Sequence, residues 1–367
     1  MNRMLLSSLG LLLLATIAGA QDKPAPYKLP ENAKFTEEEV KVHINGDAKG
    51  DSNEKDWDIA GTLNIPTGDK PAAGWPAVLF ISGSGSQQRH GVQGAIDLGT
   101  WQILDAIANA GFVVLRTDDR GAGKTPLGPK DIKPSEIGYN DLVSDARHCL
   151  RFLQARSEVN KGKVFLIGHS EGGLTAPILA SEDTTIAGVI TLAGMGRNLY
   201  DVTLEQIGDT VASLPKAQRD EALKAQREFQ DAVKAEREPD FNILGAAVAP
   251  QLKMSWKQQV EPIKKWWHEH FIIDVPKVHA GMKCPVLVLQ GASDIQVKPD
   301  ADARQILKDV MAGPCTEATL KIYPDLDHLF KPCGGRKSEL KMYMEKRDVD
   351  PRVVKDIVAW LADLAAN

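Results

Sequence analysis

Short, continuous apolar runs alternate along the chain with longer stretches in which apolar residues recur at helical spacing. Such runs are typical of strands buried on both faces, and their alternation with helices predicts an α/β fold with a mostly parallel sheet. Two earlier strand-like stretches flank a turn rich in Gly, Asp and Asn, which predicts a hairpin. The predicted strands are 39–44, 57–65, 77–81, 112–115, 163–167, 186–192, 285–290 and 319–323, and the predicted helices are 98–110, 139–157, 174–180 and 351–366.

The segment 196–282 interrupts this alternation, because it contains no apolar run of the strand type. Charged residues recur at helical spacing over 216–236, as on the solvent-exposed face of a helix, and a cluster of aromatic residues follows them. We therefore predict a helical cap, inserted over the sheet edge at which ligands bind in such folds. The two parts of the core are then 35–195 and 283–367.

The N-terminus has the pattern of a secretory signal peptide over residues 1–20. Arg3 provides the positive charge, an apolar stretch covers 5–17, and small residues provide the cleavage pattern before Gln21. The apolar stretch is shorter than the ~20 residues of a spanning helix, so we prefer a cleaved peptide to a membrane anchor. We expect an exported protein, periplasmic or secreted, in which 21–34 is a flexible lead-in.

Composition narrows the possible partners and cofactors. The 367 residues carry a formal net charge of −5 and include no basic run, which argues against nucleic-acid binding, because most of that affinity comes from phosphate neutralisation. No metal-ligand spacing and no dinucleotide fingerprint occurs, so we expect no metal and no other cofactor. A disulfide between Cys315 and Cys333 and a set of free thiols fit the sequence equally well. The four cysteines are Cys149, Cys284, Cys315 and Cys333.

The strongest chemical pattern is Gly168-His169-Ser170-Glu171-Gly172, which directly follows a predicted strand and precedes a helix. A serine at such a tight turn is held exposed in a strained conformation, with the helix N-terminus behind it. Glycines two residues before and after it avoid clashes that larger side chains would cause. The pattern therefore predicts that Ser170 is a nucleophile, supported by Gly168 and Gly172.

A serine hydroxyl needs a base that an acid orients, and in this type of fold the acid and then the histidine follow the serine along the chain. Asp294 and His328 each come just after one of the last two predicted strands. Because the ends of parallel strands meet at one sheet edge, we expect both beside Ser170, as a catalytic triad. Asp325 and Asp327 are nearer to the histidine in sequence, but would replace Asp294 only in an unusual local geometry.

Acyl transfer also needs hydrogen-bond donors for the developing oxyanion. The first expected donor is the backbone N–H of Glu171, which follows the nucleophile. The second should come from the glycine-rich loop after the strand 77–81. In that loop we choose the N–H of Ser84, because Gly83 and Gly85 allow the main chain to approach a substrate closely.

These segments resemble the bacterial α/β-hydrolase family described as serine-aminopeptidase-like, in its carboxylesterase branch, from about residue 35 to residue 366. The resemblance implies an α/β-hydrolase fold with an inserted cap and hydrolysis of small-molecule esters. It also implies Ser170, Asp294 and His328 as the triad, with the amides of Ser84 and Glu171 as the oxyanion hole. The matching segments are ISGSG at 81–85, DDRGAGK at 118–124, GHSEGG at 168–173, QGASDIQV at 290–297 and HLF at 328–330.

Two positions depart from that family's pattern. The glycine-rich loop continues with SQQRH at 86–90, a stretch in which the family more often has a proline and an acidic residue. Asp327 stands where the family commonly has asparagine before the histidine. Neither departure removes a catalytic group, and the effects that we expect from them are on substrate choice or on the environment of His328.

Three hypotheses about function follow. The leading one is a carboxylesterase for short acyl esters, because the cap is expected to limit acyl length. The second is a serine exopeptidase or amidase, in which acidic cap residues such as Glu205, Asp209 or Glu269 would bind the free amine of an aminoacyl substrate. The third is a binding protein that kept the fold without turnover, against which the complete triad argues.

Overall fold

The computed structural model describes residues 24–45, 56–315 and 317–367, and the predicted signal peptide lies outside them. Contacts divide these residues into two compact units. The smaller unit consists of Asp131–Leu142 and Arg197–Asp274, and the larger unit contains the rest. Within the described ranges, no helix is both long and apolar enough to cross a membrane.

An eight-stranded sheet forms the centre of the larger unit, beside a separate two-stranded ribbon. The strands are β1 (Phe35–Ile44), β2 (Trp57–Pro66), β3 (Trp75–Ile81), β4 (Val92–Gln93), β5 (Ile96–Asp97), β6 (Val113–Thr117), β7 (Val159–His169), β8 (Ile186–Leu192), β9 (Val286–Gly291) and β10 (Ala318–Tyr323). The order in the sheet is β1-β2-β6-β3-β7-β8-β9-β10, and β4 and β5 form the ribbon. The predicted hairpin is confirmed, because β1 pairs antiparallel with β2. β2 is also antiparallel to β6, and the remaining pairs of the eight-stranded sheet are parallel, so the predicted mostly parallel sheet is confirmed.

The apolar runs form the central strands because both of their faces are covered. Every residue of β9 is buried, as are the last six of β7. Phe165 of β7 packs edge-on against Phe112 and Trp360, with ring centroids 6.2 Å and 6.4 Å away. Each large apolar side chain buried in this way contributes roughly 1.5–3 kcal/mol. The packing therefore holds the ends of the central strands, and the residues that follow them, in defined positions.

Helices flank this sheet in the larger unit. In the last one, Val353, Ile357 and Leu361 recur at four-residue spacing and are fully buried. Asp350 begins this helix, since its carboxylate accepts a hydrogen bond from the N–H of Arg352 at 2.8 Å. The helices are Thr100–Asn109, Tyr139–Ala155 (whose first turn belongs to the smaller unit), Gly172–Glu182, Val275–Ala280, Arg304–Met311 and Pro351–Ala366.

The smaller unit is helical. In its longest helix the buried residues Ala222, Ala225, Phe229 and Val233 share one face, and most of the charged residues lie on the other. Phe229 packs against Trp256 with ring centroids 5.4 Å apart, so the aromatic residues form a core of this unit. Its helices are Leu199–Thr210, Lys216–Lys234, Ala249–Ser255 and Lys264–Phe271.

Part of the segment predicted as a lead-in makes specific contacts. The Tyr27 ring stacks on His90 with centroids 4.0 Å apart, and its hydroxyl donates to Asp105 Oδ2 at 3.0 Å. Arg116 Nη2 donates to the same hydroxyl at 3.3 Å, and this buried guanidinium also pairs with Glu37 at 2.9 Å. These contacts fix Tyr27 to the larger unit, which the composition of the segment does not indicate.

All four cysteines are free thiols. Cys315 and Cys333 are buried but do not form the disulfide that the sequence allowed. The thiol of Cys315 instead donates to the carbonyl oxygen of Cys284 at 3.1 Å. Burial raises the pKa of the Cys284 thiol to about 12, so this thiol is protonated at neutral pH.

Candidate active site

Ser170 lies at the turn between β7 and the helix Gly172–Glu182. Its φ of +54° is the left-handed conformation, in which a non-glycine residue is strained. The N–H of Ser170 donates to the carbonyl of Leu192 at 2.8 Å, which holds the turn against β8. A Cβ at Gly168 would collide with the carbonyl oxygen of Gly172, and one at Gly172 with that of Ile81. The predicted role of both glycines, close backbone packing around the serine, agrees with this geometry.

Asp294 and His328 contact each other although 34 residues separate them. Asp294 follows β9, His328 follows β10, and these strands pair in parallel. The Nδ1 of His328 lies 2.8 Å from Asp294 Oδ2, and both side chains are almost completely buried. Because an ionised carboxylate can only accept, Nδ1 carries a proton, and in the neutral ring Nε2 then has the free lone pair. The structure therefore brings together Asp294 and His328, the two residues that the sequence predicts as the acid and the base of the triad.

Several donors hold the carboxylate of Asp294 in place. Its Oδ1 accepts from the N–H groups of Gln296 at 2.7 Å and Val297 at 3.0 Å, and its Oδ2 also accepts from the side chain of Gln290 at 2.8 Å. Burial acts to raise the pKa of Asp294, but the His328 ring and these donors outweigh it, so the pKa lies below its usual value. Asp294 is therefore a fixed, ionised partner for the histidine.

His169 connects the Ser170 turn with the His328 loop. Its Nε2 lies 3.0 Å from the carbonyl oxygen of His328, and the two ring centroids are 4.9 Å apart. Burial lowers the pKa of His169 to about 4, so at neutral pH its Nε2–H is the donor of this bond. In the part of the chain that the structure describes, no hydrogen bond joins the Ser170 hydroxyl to the His328 ring. His169 therefore joins these two segments, although the sequence pattern assigned it no role.

The glycine-rich loop after β3 lies against the nucleophile. A Cβ at Gly83 would be 3.0 Å from the Cβ of Ser170, so the loop backbone approaches the serine closely. The carbonyl of Ser84 accepts from the Gln93 side chain at 3.3 Å, which orients the peptide that follows it. Glu171 is buried at the start of the helix behind the serine. Both residues chosen as oxyanion donors thus belong to segments that meet at Ser170.

Asp327 directly precedes His328, but its carboxylate binds other groups. Its carboxylate accepts from the N–H groups of Leu329 at 2.9 Å and Lys331 at 3.0 Å, and it pairs with Arg347 Nη2 at 2.7 Å. This aspartate therefore shapes the turn that carries His328. No local pattern marks Arg347, because it lies 20 residues away along the chain.

Clusters that could bind a metal ion are absent from residues 24–45, 56–315 and 317–367. No group of three or more His, Cys, Asp or Glu side chains there has a suitable arrangement.

The strand order and the strained serine turn define the chain as an α/β hydrolase. The model of the serine aminopeptidase S33 family matches residues 98–330, which is more than half of the chain. The chain belongs to that family of hydrolases.

Related proteins agree with this assignment. The esterase EstD of Thermotoga maritima is 24% identical over 338 residues, which cover 91% of this chain and 70% of EstD. The solved structure of the Pyrococcus furiosus esterase Pf2001 superposes with a TM-score of 0.55 at 14% identity, covering 94% of this chain and 95% of that one. The acetyl xylan esterase of Paenibacillus sp. R4 gives a TM-score of 0.54 at 15% identity, covering 92% and 86%. Both structural likenesses support the fold.

Proposed function

We propose that the chain is a carboxylesterase that uses Ser170 as nucleophile, His328 as base and Asp294 as orienting acid. The observation that carries this proposal is the 2.8 Å hydrogen bond between His328 and Asp294 beside the strained turn at Ser170. The similarity to EstD, which is named an esterase and aligns over 91% of this chain, supports esters as the substrate class.

The proposed mechanism uses the hydrogen bond between His328 Nδ1 and Asp294. The free lone pair on Nε2 of His328 accepts the proton of Ser170 as its hydroxyl oxygen attacks the ester carbonyl. Asp294 stabilises the resulting imidazolium. The N–H groups of Ser84 and Glu171 donate to the tetrahedral oxyanion, and His328 then protonates the departing alcohol. Water, deprotonated by the same imidazole, hydrolyses the acyl-enzyme and releases the acid.

Short acyl esters are the proposed substrates, as the sequence predicts. Turnover of p-nitrophenyl acetate, butyrate, octanoate and palmitate measures this preference directly. We expect kcat/KM to be highest for acetate or butyrate. A maximum at palmitate would contradict the proposed acyl length without affecting the proposed triad.

The aminopeptidase alternative is less well supported by the acidic residues that it would need. Glu205 already pairs with Arg197 at 2.6 Å, and Glu269 accepts from the N–H of Asn140 at 2.7 Å. A carboxylate with such partners is a poorer anchor for a substrate amine, because part of its hydrogen-bonding capacity is already used. Leucine p-nitroanilide, compared with p-nitrophenyl acetate, distinguishes the two activities.

Export through a cleaved signal peptide remains part of the proposal. Its support is the pattern of charge, apolar stretch and small residues over 1–20. N-terminal sequencing of the protein purified from the periplasm or medium should begin at Gln21. An intact Met1 on protein that stays in the cytoplasm would contradict it.

The decisive test of the proposed mechanism is Ser170→Ala. We expect loss of p-nitrophenyl butyrate hydrolysis by about 10⁴-fold or more, and loss of labelling by a fluorophosphonate probe. The matched control is Ser181→Ala in the following helix, because its hydroxyl bonds to the carbonyl of Ile178 at 2.8 Å within the same helix. Turnover that persists in Ser170→Ala would remove this serine from the mechanism.

A further inference from the structure

Asp119 connects to both ends of the glycine-rich loop that lies against Ser170. It follows β6, whereas Ser82 follows β3, and these two strands pair in parallel, so their ends lie next to each other. The hydroxyl of Ser82 donates to Asp119 Oδ1 at 2.5 Å, and the backbone N–H of Gln87 donates to Oδ2 at 2.9 Å. One carboxyl group therefore binds the first residue of the segment 82–87 with one oxygen and the last residue with the other.

Two further hydrogen bonds, each to a backbone carbonyl, hold the end of the same segment. The N–H of Asp119 donates to the carbonyl of Gln87 at 2.9 Å, so these two residues are joined in both directions. The hydroxyl of Ser86 donates to the carbonyl of Arg120 at 2.9 Å. The loop 82–87, which is rich in glycine and intrinsically flexible, is thus held at both ends by the turn after β6.

The loop 82–87 packs closely against Ser170 and has little free space there. A Cβ at Gly83 would lie 3.0 Å from that of Ser170, and a Cβ at Gly172 would lie 2.5 Å from the carbonyl oxygen of Ser82. A small displacement of the loop would therefore move the Ser84 N–H relative to Ser170. Oxyanion donors stabilise a transition state only within about 2.7–3.1 Å of the developing charge.

We propose that Asp119 is a positioning residue for ester hydrolysis, whose carboxyl group fixes the glycine-rich loop 82–87 so that its amide meets the oxyanion formed at Ser170. This inference rests on the proposed function. It assigns Asp119 no contact with the substrate. Its effect should therefore appear in the stabilisation of the transition state, and substrate binding should be largely preserved.

The neutral form of the side chain is sufficient for this role. Burial raises the pKa of Asp119 to about 8. A protonated carboxyl can still serve both partners, because its O–H bonds to Ser82 while the other oxygen accepts from Gln87. Asparagine has the same shape and offers one donor group and one acceptor, so it can replace the aspartic acid, whereas alanine can replace neither bond.

The test compares Asp119→Ala, Asp119→Asn and Ser82→Ala with the wild type in p-nitrophenyl butyrate hydrolysis. We expect Asp119→Ala to lower kcat about 10- to 100-fold and to change KM by no more than about threefold. This fall in kcat is no larger than the fall expected from removing an oxyanion donor itself. Asp119→Asn should stay within about threefold of the wild type. Ser82→Ala, which removes one of the two side-chain bonds, should lower kcat about threefold to tenfold.

A transition-state analogue separates positioning from general destabilisation. The affinity of a trifluoromethyl ketone, which forms a tetrahedral adduct with the serine, should fall by the same factor as kcat/KM in each variant. Asp183→Asn is the matched control, because Asp183 accepts from the hydroxyl of Thr185 at 2.6 Å and from its N–H at 2.9 Å on an exposed loop. This control should keep both the wild-type kcat and the wild-type inhibitor affinity.

The outcomes distinguish the positioning role of Asp119 from the proposed mechanism at Ser170. If Ser170→Ala abolishes turnover but folded Asp119→Ala keeps its kcat, the positioning role is wrong and the proposed mechanism stands. An Asp119→Asn variant as slow as Asp119→Ala would also overturn the role, because hydrogen bonding would then not be what matters. If Asp119→Ala does not fold, an unchanged kcat in Ser82→Ala would overturn it instead. Activity that survives in Ser170→Ala would reject the mechanism itself.

Discussion

Two buried aspartates lie near His328 in the chain or in space, but they have different partners. Their comparison shows what determines which aspartate pairs with the histidine. Asp294 follows β9 and accepts from the His328 ring, whereas Asp327 directly precedes His328 and pairs with Arg347. Both side chains are completely buried, so burial does not distinguish them. His328 pairs with Asp294, which follows the strand next to its own. Asp327, the aspartate nearest in sequence, binds backbone N–H groups instead.

The largest expected effect comes from substituting each aspartate with asparagine. Asp294→Asn should lower kcat/KM for p-nitrophenyl butyrate by about 10⁴-fold, because the amide no longer fixes the tautomer that leaves Nε2 free. Asp327→Asn should lower it less than about tenfold, since the asparagine oxygen still accepts from the backbone. Steady-state kinetics on both variants measures the contrast, and equal losses would show that the two aspartates do not differ in their importance for His328.

A smaller effect is expected when Asp327 loses its cation. Arg347→Met should lower the free energy of unfolding by about 3–5 kcal/mol, because it leaves a buried carboxylate without its partner. Adding Asp327→Asn should restore part of that loss, since the double variant buries no charge at this position. Urea denaturation measures both. A single variant as stable as the wild type would show that Asp327 does not depend on the arginine.

The smallest expected effect is a pH dependence of stability that belongs to Asp294. Its pKa is lower in the folded chain than in the unfolded chain, so its contribution is present above the unfolded pKa of ~3.9 and is lost as pH falls through the folded pKa. Between about pH 5 and about pH 3, the unfolding free energy of the wild type should therefore fall more steeply than that of Asp294→Asn. Parallel curves from urea denaturation at several pH values would contradict this.

Much of the fold was predictable because its central strands are buried on both faces. Continuous apolar runs mark such strands directly, and the eight predicted strands are the eight strands of the sheet. The ribbon of β4 and β5 was not predicted, because its two-residue strands are too short for any periodicity. The anchoring of Tyr27 was also missed, since the groups that bind it, such as Asp105 and Arg116, are distant in sequence.

For the site, the sequence alone determined the residue types and their order: a serine between glycines, an aspartate and a histidine, each after an apolar run. It could do so because a parallel sheet brings the ends of its strands to one edge. Only the tertiary structure decided the partners, such as His169 with the carbonyl of His328, Asp327 with Arg347 and Asp119 with Ser82. Those pairs depend on distances of a few ångströms between side chains from different loops, and no pattern along a single segment records such distances.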